Sequence, residues 1–187
     1  MRSKKLVIEL VMGIGLMVAA GSVEARDKSL HASFAGTAAN KDDFSFTGTP
    51  GFSCTVAGKS TLGKYTAQLV VELQPDGNTC TAAGGGSGVE YVFVGEVVVL
   101  SFTAKGEQLF LDLSPSVTSH ACLDPNTGVF TGQTTFDVSG GTGRFAGASG
   151  SIIKTWKTIF LALPASPGKG AFGSFTGTFD GTIEFAK

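Results

Sequence analysis

The strongest constraint on the fold is a two-residue alternation of side chains near the end of the chain. From Ala171 to Ala186 the odd positions are Ala, Gly, Phe or Ile, and the even positions from Ser174 to Glu184 are all polar. Such alternation places one face of a β-strand in a core and the other face in water. Leu62–Leu73 alternates in the same way. The chain is therefore predicted to contain half-buried strands.

Strand signals recur along the chain, whereas long apolar stretches with helical spacing and caps are nearly absent. We predict eight strands, at His31–Thr37, Asp43–Gly48, Leu62–Leu73, Val89–Thr103, Gln108–Leu113, Gly128–Val138, Arg144–Ala162 and Ala171–Ala186. Eight antiparallel strands with turn-like connections favour an all-β, up-and-down barrel, because closure removes exposed sheet edges. A β-sandwich is the alternative.

Glycine and phenylalanine are frequent, with 27 Gly and 15 Phe in 187 residues. The tripeptide Phe-Ala/Thr-Gly occurs at 34–36, 46–48, 130–132, 145–147 and 175–177. In a strand, Phe and the Gly two residues later share one face, so large and small side chains alternate there. Small barrels often fill their interior in this way. The motif therefore predicts a barrel packed with Phe, although a simple compositional bias would also produce it.

The N-terminus is typical of a secretory signal peptide. A basic start is followed by an apolar run from Leu6 to Ala20 and by the small-residue site Val23-Glu24-Ala25. The apolar run is shorter than the roughly 20 residues that span a bilayer. We expect residues 1–25 to be removed, which leaves 26–187 as a single barrel domain that is secreted or periplasmic, with no membrane span. The net charge of −1 offers no basic surface for nucleic acid.

Three cysteines in an exported chain leave one unpaired. Cys80 and Cys122 lie in the predicted loops Gln74–Gly88 and Ser114–Thr127. These loops are two strands apart, so they emerge at the same end of an up-and-down barrel. Cys54 lies in the preceding connection, at the opposite end. We therefore predict a Cys80–Cys122 disulfide and interpret Cys54 as a small buried hydrophobe. No Cys-x-x-Cys motif or Cys/His cluster indicates a metal site.

Catalytic motifs are sparse. His120 stands beside Ser119 and near Asp124, but a catalytic triad is defined by geometry rather than by proximity in sequence. A solvated loop residue is the favoured interpretation of His120. Phosphate-binding glycine motifs are absent, and no cofactor is expected.

Two carboxylates and the single tryptophan are further candidates for lining a cavity. Glu90 and Glu96 are predicted on the same side of one strand, about 20 Å apart, which is too far for a glycosidase pair. Either carboxylate could face a cavity, but a salt bridge to a neighbouring strand or subunit is the favoured interpretation. Trp156 could line a ligand pocket or simply pack in the core.

The segment 139–150, Ser-Gly-Gly-Thr-Gly-Arg-Phe-Ala-Gly-Ala-Ser-Gly, resembles the Gly-Gly-Thr-Gly-x-Phe turn of the allene oxide cyclase and dirigent barrel superfamily. The closing Phe175-Thr176-Gly177-Thr178 is similar to the last strand of its bacterial secreted members. The resemblance implies an eight-stranded antiparallel barrel, often a homotrimer, with an apolar cavity. It also implies a structural turn, with positive φ at the glycines and an anchoring Phe. The turn residues are Gly140, Gly141, Gly143 and Phe145.

These observations lead to three functional hypotheses. The first is an exported barrel that binds a small apolar ligand without catalysis. The second, implied by the resemblance, is an isomerase, cyclase or dirigent-like protein that steers a reactive apolar substrate without a cofactor. The third is a structural or interaction protein with a filled core. The shared motif is a turn, so no catalytic residue is assigned.

Overall fold

Antiparallel strands dominate the computed structural model, which describes residues 26–41, 51–162 and 172–186. The predicted signal peptide and the predicted strand Asp43–Gly48 lie outside these ranges. The strands are β1 (Arg26–Lys41), β2 (Gly51–Ser60), β3 (Gly63–Thr81), β4 (Ser87–Phe102), β5 (Glu107–Leu113), β6 (His120–Leu123), β7 (Val129–Gly141), β8 (Ser149–Ala162) and β9 (Phe172–Phe185). Within the described ranges, no helix has the length and apolar character to cross a bilayer.

The strands form one sheet that closes on itself. The ring runs β1-β2-β3-β4-β5-β7-β8-β9 and returns to β1, and every pair in it is antiparallel. The predicted eight-stranded antiparallel barrel is therefore confirmed, and the sandwich alternative is not observed.

β5 and β6 together fill one position in the ring. β5 pairs with residues 97–102 of β4, and β6 pairs with residues 89–92 of the same strand, in the same direction. Residues 114–119 leave the sheet between them. The predicted loop Ser114–Thr127 therefore contains a short strand, β6. It fills the ring between residues 89–92 of β4 and residues 130–133 of β7.

Several predicted boundaries differ from the observed ones. The connection expected around Cys54 is the strand β2, whose inward side chains at this point are Cys54 and Val56. Most of the predicted loop Gln74–Gly88 is strand, because β3 continues to Thr81 and β4 begins at Ser87. β8 begins at Ser149, because the residues before it form a 3-10 turn.

Small residues separate the large side chains around the interior as well as along the strands. Paired inward positions follow the ring in the order Tyr91, Ala121, Gly132, Trp156, Gly177, Phe34, Gly58 and Tyr65. A Cβ at Gly177 would lie 2.6 Å from Phe34 Cζ, and one at Gly132 would lie 2.7 Å from Trp156 Cζ2. The glycines thus provide the space that the rings occupy.

One end of the ring is closed by aromatic rings. Phe145, in the 3-10 turn Gly143–Phe145, is fully buried and stacks on Phe102 with ring centroids 5.0 Å apart. The Arg144 guanidinium covers both rings, donates to Leu62 O at 3.0 Å and pairs with Glu107. Among the described residues, Phe145, Phe102 and Arg144 therefore close this end of the ring.

Candidate functional site

The interior contains a buried ion pair. Lys154 Nζ, on β8, donates a hydrogen bond to Glu96 Oε1, on β4, and both side chains are at most 2% exposed. The ring centroids of four aromatic side chains lie 5.3–5.8 Å from the ammonium; they belong to Phe93, Phe136, Trp156 and Phe175. An aromatic lining stabilises an ammonium electrostatically once its water has been removed.

A register shift places Glu96 inside the ring. Leu73 of β3 pairs with Phe93, while Glu72 pairs with Gly95, so Val94 is an extra residue on β4. Beyond this extra residue, the side chains of β4 point to the face opposite to the one that simple alternation predicts. Glu96 therefore points inward, whereas Glu90 is on the outer face. The prediction that the two carboxylates share a side was wrong for this reason.

The ion pair is imperfectly satisfied. Glu96 Oε2, Thr134 Oγ1 and Trp156 Nε1 are buried and make no well-formed hydrogen bond in the described structure, although the Thr134 hydroxyl is near enough to Glu96 to help lower its pKa. Burial raises the pKa of Glu96, and the nearby Lys154 ammonium opposes that rise. Burial also raises the pKa of the neighbouring Cys54 thiol to about 12. Interior groups of this kind are common at functional sites.

A small apolar pocket lies on the open side of the ion pair. Its volume is about 20 Å³, and its walls include Phe52, Phe93, Phe130, Phe160 and Phe175. Lys154, Trp156 and Thr158 contribute the polar groups of the lining. Phe52, Phe93 and Phe160 are only partly buried and lie towards the end opposite Phe145; we call these three side chains the aromatic mouth.

A second, larger depression lies on the outer surface. It measures about 620 Å³ and is lined by residues of β6, β7, β8 and β9 together with Glu90 and the two bridged cysteines. Glu90 Oε1 lies 2.9 Å from His120 Nδ1 at its edge. Trp156 forms part of the lining of both spaces. On the two neighbouring strands it pairs with the inward glycines Gly132 and Gly177.

Ser119 and Asp124, which lie near His120 in sequence, make their hydrogen bonds to other residues. Ser119 Oγ accepts a hydrogen bond from the Thr135 backbone N–H, and Asp124 accepts bonds from Asn126 and Thr127. His120 is an exposed residue at the start of a strand rather than in a loop.

The predicted disulfide between Cys80 and Cys122 is present. It passes over β4 at Gly88, where a Cβ would lie 2.6 Å from Cys122 Sγ and 3.1 Å from Cys80 Sγ. Cys54 is free and buried inside the ring. The bond therefore connects β3 and β6 across the strand between them.

The glycine-rich turn leads from β7 into β8. Gly140 and Gly143 have φ of 122° and 59°, values that side chains rarely adopt. Gly141 has an ordinary φ, but a Cβ there would lie 2.6 Å from Phe145 Cβ. The glycines allow the chain to reverse tightly beneath Phe145.

No family model and no curated protein matches this chain. Among solved structures it is similar to the pterocarpan synthase dirigent protein GePTS1, at 13% identity over 97% of this chain and 100% of that chain, with a TM-score of 0.35. A similarity at that score carries no argument about function. The fold described above rests on its own strand pairing.

Proposed function

We propose that this chain is a binding protein for a small, mainly apolar molecule that enters through the aromatic mouth. The observation that carries the proposal is Lys154, a buried ammonium beneath a pocket lined by Phe. Among the described residues, Glu96 is its one hydrogen-bond partner. An ammonium has three donors, so it can still bond to an oxygen of a ligand.

A purely structural core would gain little from this arrangement. Burying an ion pair costs several kcal/mol per ion, and well-packed apolar residues often serve stability equally well. Trp156 Nε1 is a second buried donor without a partner. An unpartnered indole N–H and an ammonium with donors to spare, both in the lining of an apolar pocket, favour a ligand with an apolar body and one hydrogen-bond acceptor.

The space for such a ligand must come from the mouth. A volume of about 20 Å³ holds roughly one water molecule. Phe52, Phe93 and Phe160 are partly buried and border the opening, so rotation of these side chains would enlarge the pocket. Binding is therefore proposed to be coupled to movement of the aromatic mouth.

Binding is favoured over catalysis by the position of Glu96. A cyclase or isomerase would need an acid or base in contact with its substrate. Lys154 lines the pocket whereas Glu96 does not, so the carboxyl group is screened from an occupant by its own partner. Among the described residues, the pocket lining therefore offers a donor to a ligand, and Glu96 is not placed to act on it as a base.

Trp156 is the only tryptophan in the chain, so its fluorescence reports on the proposed site. We would titrate a panel of fatty acids and phenolic acids, with their methyl esters, and follow emission and thermal stability. Saturable binding by the acids that weakens in Trp156→Phe and Lys154→Met is expected. The outer-face substitution Ile153→Val is the control. If no member of the panel binds, the filled-core interpretation replaces this proposal.

Export is proposed together with binding. A disulfide is typical of secreted or periplasmic proteins, and the predicted cleavage site makes Arg26 the first mature residue. N-terminal sequencing of the protein from its source should read Arg-Asp-Lys-Ser. A chain that retains residues 1–25 would contradict the proposed cleavage. Light scattering tests the homotrimer that the superfamily resemblance implies.

A further inference from the structure

Three potential metal ligands from three strands meet on the outer face, at the edge of the large depression. Asp76 is on β3, Glu90 on β4 and His120 on β6, and one ligand atom from each lies within 4.8 Å of the other two. We propose that these side chains form a binding site for a divalent transition metal ion of the Zn²⁺ class. This outer site is independent of the interior pocket.

The backbone brings these residues together. Pro75 pairs with Tyr91 and Thr79 pairs with Val89, so residues 76–78 form an excursion opposite the single residue Glu90. The excursion carries Asp76 towards the Glu90 side chain. On the other side of β4, Glu90 pairs with Cys122, two residues from His120.

Groups that are not themselves ligands hold the three side chains in place. The backbone N–H and side-chain amide of Asn78 donate to the two oxygens of Asp76, at 2.8 Å and 3.0 Å. Hydrogen bonds to ligating carboxylates orient them and contribute to metal affinity. The Cys80–Cys122 disulfide joins the strands that carry Asp76 and His120, so the outer two ligands are held relative to each other.

The donor set defines the class of cation. One imidazole nitrogen with two carboxylates suits Zn²⁺ and similar transition ions, whereas Ca²⁺ is bound by six to eight oxygens. Ligand atoms in a tetrahedral Zn²⁺ site with bonds near 2.1 Å are about 3.5 Å apart. Small rotations would bring the three atoms to that spacing, and the partly exposed Glu90 and His120 side chains have room to make them.

Three protein ligands leave a coordination position open. Glu90 and His120 also line the 620 Å³ depression, whose other side includes Lys157. An open position is the arrangement of exchangeable zinc sites, where water or a ligand oxygen completes the shell. The metal would exchange the present His120–Glu90 contact for two metal–ligand bonds and present its free position to the depression.

Calorimetric titration of the oxidised full chain with ZnCl₂ tests the proposal. We expect one ion per chain, and we expect His120→Gln to weaken binding by more than about 100-fold, the upper end of what loss of an outer-shell partner costs. Asp76→Asn, at an excursion of the backbone, is a second variant. Circular dichroism would show that each variant is folded.

The chain provides a matched control. His31 Nδ1 lies 3.0 Å from Asp180 Oδ1 on exposed strands, and this pair is not part of the three-ligand cluster. His31→Gln should leave the stoichiometry and affinity unchanged. Absence of stoichiometric binding, or equal loss in His31→Gln and His120→Gln, would overturn the proposal. Co²⁺ absorption bands that disappear in His120→Gln would identify His120 as a ligand.

Discussion

Lys154 and Glu96 are hydrogen-bonded across the interior from strands that are not neighbours in the ring. β5, β6 and β7 lie between β4 and β8 on the shorter path around the sheet. The contact therefore joins two parts of the wall that share no backbone hydrogen bonds. Its contribution to stability can be measured separately from that of the sheet.

The substitution Lys154→Met should lower the free energy of unfolding by about 3–5 kcal/mol at neutral pH, because it leaves a buried carboxylate without its counter-charge. Urea denaturation measures this loss. The double variant Glu96→Met/Lys154→Met should recover most of it, since both charges are removed together. A single variant as stable as the wild type, or a double variant no better than the single one, would contradict this account.

Ionisation of the buried Glu96 should lower the stability of the folded protein as the pH rises, although Lys154 reduces this cost. Burial raises the folded-state pKa of Glu96 above its ordinary value of 4.5, so the folded protein holds this proton more tightly than the unfolded chain. The advantage of the folded state is complete below pH 4.5 and is lost as the pH rises through the folded-state pKa. Urea denaturation of wild type and Glu96→Gln between pH 4 and pH 8 measures the difference. A relative stability of the wild type that increased with pH would show the opposite sign.

Cys54 should resist alkylation in the native protein. With a pKa of about 12, only about one thiol in ten thousand is ionised at pH 8, and burial also denies access to the reagent. Intact-mass analysis after iodoacetamide treatment should show no adduct on the native chain. In urea without reductant it should show one adduct. Native labelling, or three adducts in urea, would contradict the described pairing.

Gly132→Ala should destabilise the protein by about 1–3 kcal/mol, a usual cost of overpacking a core. The new methyl group would lie 2.7 Å from the buried Trp156 ring and 3.0 Å from Ala121 Cβ. Gly86→Ala is the matched control, because no atom lies within 4 Å of its Cβ position and its φ is not positive. Thermal unfolding of both variants decides the matter. Equal effects would show that the space beside Trp156 is not tightly filled.

The closed sheet could be predicted because alternation is a local property. Phe175, Phe179 and Ile183 are inward simply because each is an even number of residues from the others. Alternation does not reveal β2, because Cys54 and Gly58 weaken its apolar face. The disulfide was assigned correctly from strand ends, although Cys80 and Cys122 both lie on strands rather than in loops.

The interior site was beyond such reasoning. Counting by two along β4 assumes an unbroken register, so it could not reveal that Val94 is extra and that Glu96 faces inward. The partner of Glu96 is 58 residues away on a strand that is not adjacent to β4. The outer cluster could not be predicted for a similar reason, because Asp76, Glu90 and His120 come together only when their three strands pair.

The disulfide over Gly88 also acts as a covalent crosslink between two strands that are not neighbours at that point of the barrel wall. Its two sulfurs come from strands on either side of β4, and they can approach only where the intervening residue has no side chain. The covalent link therefore ties β3 to β6 across the strand that lies between them. Gly88 is the position on which the bridge depends, because a side chain there would occupy the space of both sulfurs.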